Sequence, residues 1–417
     1  MEKLRKIGFA KLTLLEEALK ELFSHIKLTS IEEIETSEAL NRILAEDIQS
    51  NIDIPPFDRS AMDGYALKAE DTFGTSPKNP RTVKQVGRIE IGEKKDELKI
   101  EEGEAIRIST GAAIPKGANA VIKIEDTEIK KDIITLYTPL VPGKNVSKKG
   151  EDIPIGTKVL EKGIEIKAEH VALLSSLGFK KIKVRMKPNL SVFATGDELI
   201  EVGKPLEPNK IYNSNSPMIS SLVKLYGGNI LREVTIKDDK KHLKDKLLEA
   251  SIDSDIIIFT GGTSVGTKDF LPEVVEECGT ILTHGVAMRP GSPILIGILN
   301  KGTLVFCLPG TPVAAYICFI TIAGLALRKM MGCLKIDPRI EINVSIAKDV
   351  PVGRMGYVHH LRVKIEKSRD EFIAIPIKLK GSGIISSLTG SHGTIEIQPN
   401  QEGLKKGEQV FAKLHPK

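Results

Sequence analysis

The chain contains no tryptophan, and aromatic residues make up only 4% of it. Basic segments such as Lys180-Lys181-Ile182-Lys183 therefore lack the interleaved rings on which single-stranded bases stack. Charge is nearly balanced, with 60 Lys and Arg against 55 Asp and Glu and a formal net charge of +5. Such segments read as solvated faces, not as a nucleic-acid surface. Cysteine is scarce as well: Cys278, Cys307, Cys318 and Cys333 form no close metal-ligand pair. Cys307 and Cys318 lie in apolar runs and read as core thiols of a protein kept in a reducing, cytoplasmic compartment. His284, His359 and His360 lack ligand spacing, so packing or surface roles are expected instead of zinc binding. Long apolar runs are missing too. The most apolar stretch, Val313 to Leu327, is too short for a bilayer and reads as a buried helix or a subunit contact, with no membrane partner. No signal-like apolar segment follows Met1-Glu2-Lys3-Leu4-Arg5.

What is present is enough for several cores: 417 residues, 41% of them hydrophobic. Apolar residues recur at helical spacing between Ala10 and Leu28, and Ser30-Ile31-Glu32-Glu33 has the form of a capping box for a second helix. Pro55-Pro56 ends that regularity. Short strands are then expected at Val83–Ile91, Ala120–Ile124 and Ile133–Tyr137, with a helix at 166–177 ending at Gly178. From about 180 to 330, strands and helices alternate. Leu190–Phe193, Ile230–Ile236, Ile256–Phe259 and Leu304–Cys307 read as strands, and Lys240–Glu249 and Phe270–Cys278 as helices. Another helix should begin at Ser216-Pro217 and stop at Gly227-Gly228. This alternation is the mark of a doubly wound α/β fold. Beyond Pro338 the period becomes two, in Ile340–Ile346, Val358–Ile365, Phe372–Ile377 and Thr394–Ile397, which implies a small β domain.

Two of the buried strands break into small residues and then acids. One reads Val192-Phe193-Ala194-Thr195-Gly196-Asp197-Glu198; the other runs from Asp255 through Thr260-Gly261-Gly262 to Asp269. Parallel sheets bind ligands beyond the carboxyl ends of their strands. Glycines there let backbone N–H groups approach an anion, and nearby carboxylates can hold a divalent metal. The pairing predicts an enzyme acting on a phosphorylated or oxyanionic substrate with Mg²⁺. Gly261, Gly262 and Ser264 are the candidate N–H donors, although a tight crossover turn alone would also require glycine. Asp269 suits either metal ligation or the N-cap of the helix at Phe270, and Glu198 either a site or compensation of a helix dipole. Asp238 follows the strand ending at Ile236, with Asp239 beside it.

The motifs taken together resemble the molybdopterin molybdenumtransferase family (MoeA and the E-domain of gephyrin). They are Pro56-Phe57-Asp58-Arg59-Ser60-Ala61-Met62-Asp63-Gly64-Tyr65-Ala66, Gly103–Ala112, Gly150-Glu151-Asp152-Ile153, Thr195–Leu199, Gly261–Asp269, Leu308–Pro312 and Gly381-Ser382-Gly383 with Ser386-Ser387-Leu388. They occur in the family's order over nearly the whole chain, and the high Lys and Glu content suits an archaeal-like or thermophilic member. The resemblance implies a four-domain elongated subunit of α/β plus β class. Its parts would be a split elongated dimerisation domain (1–54 and 141–178), a β domain (55–140), a MogA-like doubly wound α/β molybdopterin-binding domain (179–332) and a C-terminal β-barrel domain (333–417). It implies insertion of molybdate into adenylylated molybdopterin with release of AMP, dependence on Mg²⁺, a homodimer, and contact with a molybdopterin adenylyltransferase. Tungstate insertion, the adenylyltransferase reaction itself, or a cofactor carrier or scaffold are the alternatives.

The same resemblance places Glu198, Asp238 and Asp269 at the metal and the chemistry. It puts Asp63 and Asp152 on the facing wall of a cleft between subunits, although an aspartate before or near glycine also stabilises a turn. Thr110 offers a hydroxyl to the pterin or its phosphate, or else to a turn. Thr195 and Gly196 lie in the first loop, while Pro309 and Pro312 fix a turn that shapes the pterin pocket. A tetrahedral dianion calls for cationic and neutral donors. Arg289 is one candidate, with Arg362 and Ser382 from the C-terminal domain. The common bacterial form of the family has lysine where Arg289 and Ser292 stand, so Ser292 removes one positive charge from the expected oxyanion pocket.

Overall fold

The structure is a computed structural model that describes residues 12–93, 98–262, 270–368, 371–377 and 381–416. The chain divides into two compact units. One is Met1–Glu46, Lys162–Lys167 and Lys181–Lys417; the other is Asp47–Glu161 with Ala168–Lys180.

In the first unit the strand order is Asn229–Ile236, Asn189–Thr195, Ile256–Thr260, Leu304–Leu308, Leu295–Leu299, Gly279–His284. The first four run parallel, and the last two add antiparallel at one edge. The runs Ile256–Thr260 and Leu304–Leu308 are buried at every position, as strands covered on both faces must be. One face packs Leu190, Ile258 and Phe306 against the helices Asn215–Leu225 and Pro312–Met330; the other packs Phe193, Phe259 and Val305 against Lys240–Ala250 and Leu271–Cys278. Phe193 and Phe259 stack at 5.3 Å between ring centroids. The helix Pro312–Met330 is long and apolar enough to cross a membrane, and 83% of its most apolar window is buried inside this unit. The stretch expected to be too short for a bilayer thus extends at both ends into a longer helix, while its expected burial holds; it carries a π-helical turn at Phe319–Ala323. All four cysteines are buried, unbridged thiols, and Cys307 and Cys318 lie in the two cores as expected.

Two sequence expectations shift. Ser30–Glu33 does not cap a helix: Ile31–Glu35 is a strand paired antiparallel with Lys181–Arg185. The Ser-x-x-Glu spacing coincides with the alternation Ile-Glu-Glu-Ile-Glu, and a partner strand distant in sequence decides between them. The helix expected from Ser216 starts at Asn215, so Pro217 is its third residue and not its first.

The C-terminal β region closes on itself. Val358–Ser368, Glu371–Pro376, Glu341–Ile346, Gln409–Leu414 and Gly393–Ile397 pair in that order, and the last pairs back to the first. Leu361, Val363, Ile395 and Ala412 fill the barrel. The intervening His360 and Arg362 consequently project from its outer face, yet both are buried there.

The second unit is built on a six-stranded sheet in the order Ala120–Lys123, Gly64–Leu67, Glu104–Ile108, Arg81–Ile89, Ile133–Leu136, Thr127–Lys130. Gly64 sits so close to the next strand that a Cβ would overlap the Ile122 carbonyl oxygen. The motif Met62-Asp63-Gly64 therefore owes its glycine to sheet packing.

Candidate active site

The parallel strands end together. Thr195 closes its strand opposite Ile236 and, one residue beyond the last ladder pair, neighbours Gly261 after Thr260. The Thr195 hydroxyl donates to Asp238 Oδ1 at 3.2 Å. The adjacent Asp239 points elsewhere. Its carboxylate accepts from the His242 amide and caps the helix Lys240–Ala250. The two neighbouring acids are thus separated by structure, and Asp238 is the one turned toward the strand ends.

Gly261 has φ of +100°, and a Cβ there would overlap the Thr195 carbonyl oxygen. Only glycine lets these two strand ends approach so closely. Glu198 bends back over the same edge: a Cβ on Gly196 would stand 2.7 Å from both of its carboxylate oxygens. Its loop is fixed by a short parallel ladder, Leu199–Ile200 with Ile211–Tyr212, and by Lys210 Nζ donating to the Asp197 carbonyl. The Gly261 amide, expected to be a free anion donor, instead donates to the Leu308 carbonyl at 3.0 Å, because the strand ladder continues through it; Gly262 is described at the start of the second loop. Ser264 and Asp269 lie outside the described residues.

The turn Pro309–Pro312 adjoins this edge. A Cβ on Gly310 would be 3.5 Å from Gly261 Cα, and Asn215 Nδ2 donates to the Gly310 carbonyl at 2.7 Å. Asn215 gave no signal in the sequence. It is 8% exposed, and its amide oxygen has no partner among the described residues. Pro312 is the first residue of the long helix, as its fixed φ favours. The Val313 amide then donates to the Ser382 carbonyl at 3.0 Å, so the loop at Gly381-Ser382 is seated on the helix start.

Ser382 borders a cavity of about 620 Å³ together with Arg289, Arg362, His359 and His360. The three residues expected to hold an oxyanion therefore line one cavity. Arg289 is positioned by backbone pairing of Met288–Arg289 with Val358–His359. Its guanidinium lies 4.5 Å from the Tyr357 ring centroid, and that of Arg354 lies 5.1 Å from the same ring. Burial draws Arg362 below the ordinary arginine value. Ser292 is not among the cavity's residues. Its hydroxyl donates to the Met288 carbonyl at 2.6 Å, which steadies the turn that presents Arg289. His359 and His360, expected to be packing or surface residues, also line the cavity.

In the second unit, Thr110 borders a cavity of about 440 Å³ with Arg59, Ser60 and Glu151. The Thr110 amide donates to Asp63 Oδ1 at 2.8 Å, so the Asp63 carboxylate braces this loop while its residue stays exposed. Asp152 is exposed on a loop tied down by its own amide, which donates to the Ile54 carbonyl at 3.0 Å. Asp53 and Asp58 do comparable bracing, accepting from the amides of Ile155 and Lys149. Hydrogen bonding holds both carboxyls below their usual range, led by the Ile155 amide for Asp53 and by the Lys148 ammonium for Asp58.

For a divalent cation, Glu198 and Asp238 offer hard oxygen donors at one sheet edge, the type magnesium accepts. Among the described residues no group of three His, Cys, Asp or Glu is close enough to hold a metal.

Three family models match in succession: "MoeA N-terminal region (domain I and II)" over residues 13–178, "Probable molybdopterin binding domain" over 191–329, and "MoeA C-terminal region (domain IV)" over 353–414. The chain is 34% identical to a molybdopterin molybdenumtransferase of Staphylococcus epidermidis, covering 95% of this chain and 94% of that one. It is 35% identical to that of Staphylococcus aureus, over 89% and 88% of the two chains. A crystal structure of the molybdopterin biosynthesis moeA protein from Pyrococcus horikoshii superposes with a TM-score of 0.85 at 35% identity, over 97% of this chain and 100% of that one. The chain therefore belongs to the molybdopterin molybdenumtransferase family, enzymes of molybdenum cofactor biosynthesis.

Proposed function

We propose that this enzyme inserts molybdate into adenylylated molybdopterin and releases AMP, in the cytoplasm and as a homodimer. The observation that carries the reading is one continuous path of contacts. It runs from the glycine-lined strand ends (Thr195, Gly261), through Gly310 and Pro312–Val313, to the Ser382 wall of the cationic cavity. An anionic nucleotide at the strand ends and an oxyanion beside Arg289 would thereby lie on adjoining walls.

On this reading the backbone N–H of Gly262 binds the phosphates, and the Ser264 amide joins it on the strength of its place in the sequence motif. Asp238, oriented by Thr195, and Glu198 would hold magnesium together with Asp269. When bound, that ion supplies positive charge to the pyrophosphate. Pro309 and Pro312 shape the pterin side. Arg289, Arg362 and the Ser382 hydroxyl orient molybdate, with Ser292 acting one step back through the Met288–Arg289 turn. Asp63, Asp152 and Thr110 are assigned to the facing wall, supplied by the second copy of the chain as the family resemblance implies. A channelled delivery of substrate from a molybdopterin adenylyltransferase fits the same scheme.

The test is a transfer assay with purified protein, adenylylated molybdopterin, molybdate and Mg²⁺. AMP release that requires both molybdate and Mg²⁺, and falls at least about 100-fold in D238N, is the expected result. Formation of adenylylated pterin from ATP, or tight pterin binding without AMP turnover, would replace this reading with an adenylyltransferase or a carrier. Tungstate in place of molybdate in the same assay decides the metal.

A further inference from the structure

We propose that His360 completes the charge of the oxyanion pocket by taking up one proton as a tetrahedral dianion enters it. This inference rests on the assignment of the Arg289–Arg362–Ser382 cavity to an oxyanion.

His360 is 1% exposed and borders that cavity. Neither ring nitrogen has a hydrogen-bond partner among the described residues. A buried imidazole with both nitrogens unsatisfied costs free energy in the empty protein, and such groups in native structures call for an explanation. Alternation along the strand explains how it comes to be there. Leu361 and Val363 fill the barrel, so His360 and Arg362 are carried side by side to the outer face that walls the cavity.

Its electrical surroundings are poised rather than fixed. Directly across the strand pair is Glu396, which favours a proton on His360. Against it act burial and the positive charges of Arg339 and Lys413, with His359 on its own strand. Glu396 is itself shared with Lys413 at 3.0 Å and Arg339 at 3.7 Å, so its pull is partly neutralised. On the cavity side stand Arg289 and Arg362. Together these hold the imidazole neutral while the cavity is empty, with its pKa brought down to about 4, chiefly by burial. A dianion beside the ring reverses the balance, because an adjacent opposite charge favours the charged form.

The charge count gives the uptake a purpose. Ser292, on the turn that presents Arg289, adds no charge: its side chain is a neutral hydroxyl bonded to the Met288 carbonyl. Arg289 and Arg362 remain as fixed cations. A protonated His360 supplies the third, acting through its charge.

Calorimetric titration of the full-length protein with sodium molybdate, in two buffers of different ionisation enthalpy, counts protons directly. Close to one proton taken up per molybdate is expected near pH ~7.5, with Kd weakening up to about tenfold per pH unit from pH ~6.5 to ~8.5. H360N keeps a donor but cannot titrate: its proton count should fall near zero and its Kd become flat with pH. Molybdate binding without proton exchange in the wild type, or full uptake surviving in H360N, overturns the role of His360 and leaves the oxyanion site standing. Failure of molybdate to bind, or unchanged binding in R362A, overturns the site assignment and this inference with it. The wild-type proton count needs no variant, so a poorly folding H360N cannot obscure the answer.

Discussion

The Thr195 hydroxyl reaches Asp238 Oδ1 at 3.2 Å across two neighbouring parallel strands, while Asp239, one residue on, turns away to cap a helix. Adjacent acids thus predict opposite phenotypes. D238N should lower AMP release at least about 100-fold with the thermal midpoint little changed. D239A should leave turnover within about threefold and lose about 1 kcal/mol of stability with its cap. Parallel turnover and denaturation curves check both.

Arg289 and Ser292 share a turn but should fail differently. R289A is expected to raise the molybdate KM more than about tenfold, since it removes a cation that borders the cavity. S292A removes only the hydroxyl bond to Met288 and should cost about 1 kcal/mol of stability with a smaller KM effect. Molybdate saturation curves at fixed pterin nucleotide distinguish the two.

The buried pair Arg339–Asp337 is bidentate, at 2.9 and 2.8 Å, and Arg339 is 3% exposed. R339A leaves the half-buried Asp337 paired with Lys413, at 3.6 Å, and should destabilise by about 1–3 kcal/mol. Replacing both residues by leucine should recover most of that loss, which chemical denaturation would measure.

His415 is held between the Tyr316 hydroxyl at 2.8 Å and the Ser391 hydroxyl at 2.7 Å. Burial, with Arg339 and His392 adding repulsion, brings its pKa down to about 4. The folded state therefore binds fewer protons than the unfolded state between about pH 6.5 and 4. Stability from this residue is complete above about pH 6.5 and declines as pH falls through that window, by at most about 3 kcal/mol. Melting curves from about pH 7.5 to 4.5 should show a shallower decline in H415N than in the wild type.

Much of this was legible because burial on two faces leaves an unbroken apolar run. Ile256–Thr260 and Leu304–Leu308 are such runs, and the glycines after the first mark the ligand edge. The antiparallel strands Gly279–His284 and Leu295–Leu299 were not legible. Gly279–His284 mixes exposed, half-buried and buried positions, and the nearly all-buried Leu295–Leu299 follows a stretch broken by Gly285, Pro290, Gly291 and Pro293. Arg289, Arg362 and Ser382 were found through resemblance, and the cavity they share follows from pairing between segments about 70 residues apart. His360 gave no signal of its own. A histidine on a strand looks like packing until a second element buries it without supplying a partner.

The two-residue ladder joining Met288–Arg289 to Val358–His359, with the Val358 amide donating to Ala287 O at 2.9 Å, couples the cavity's opposite sides through main-chain bonds. Any breathing that parts Arg289 from the barrel must first break those bonds. Deuterium uptake at the Val358 amide would consequently track how often this cavity opens and, on the proposed reading, slow further once an anion is seated.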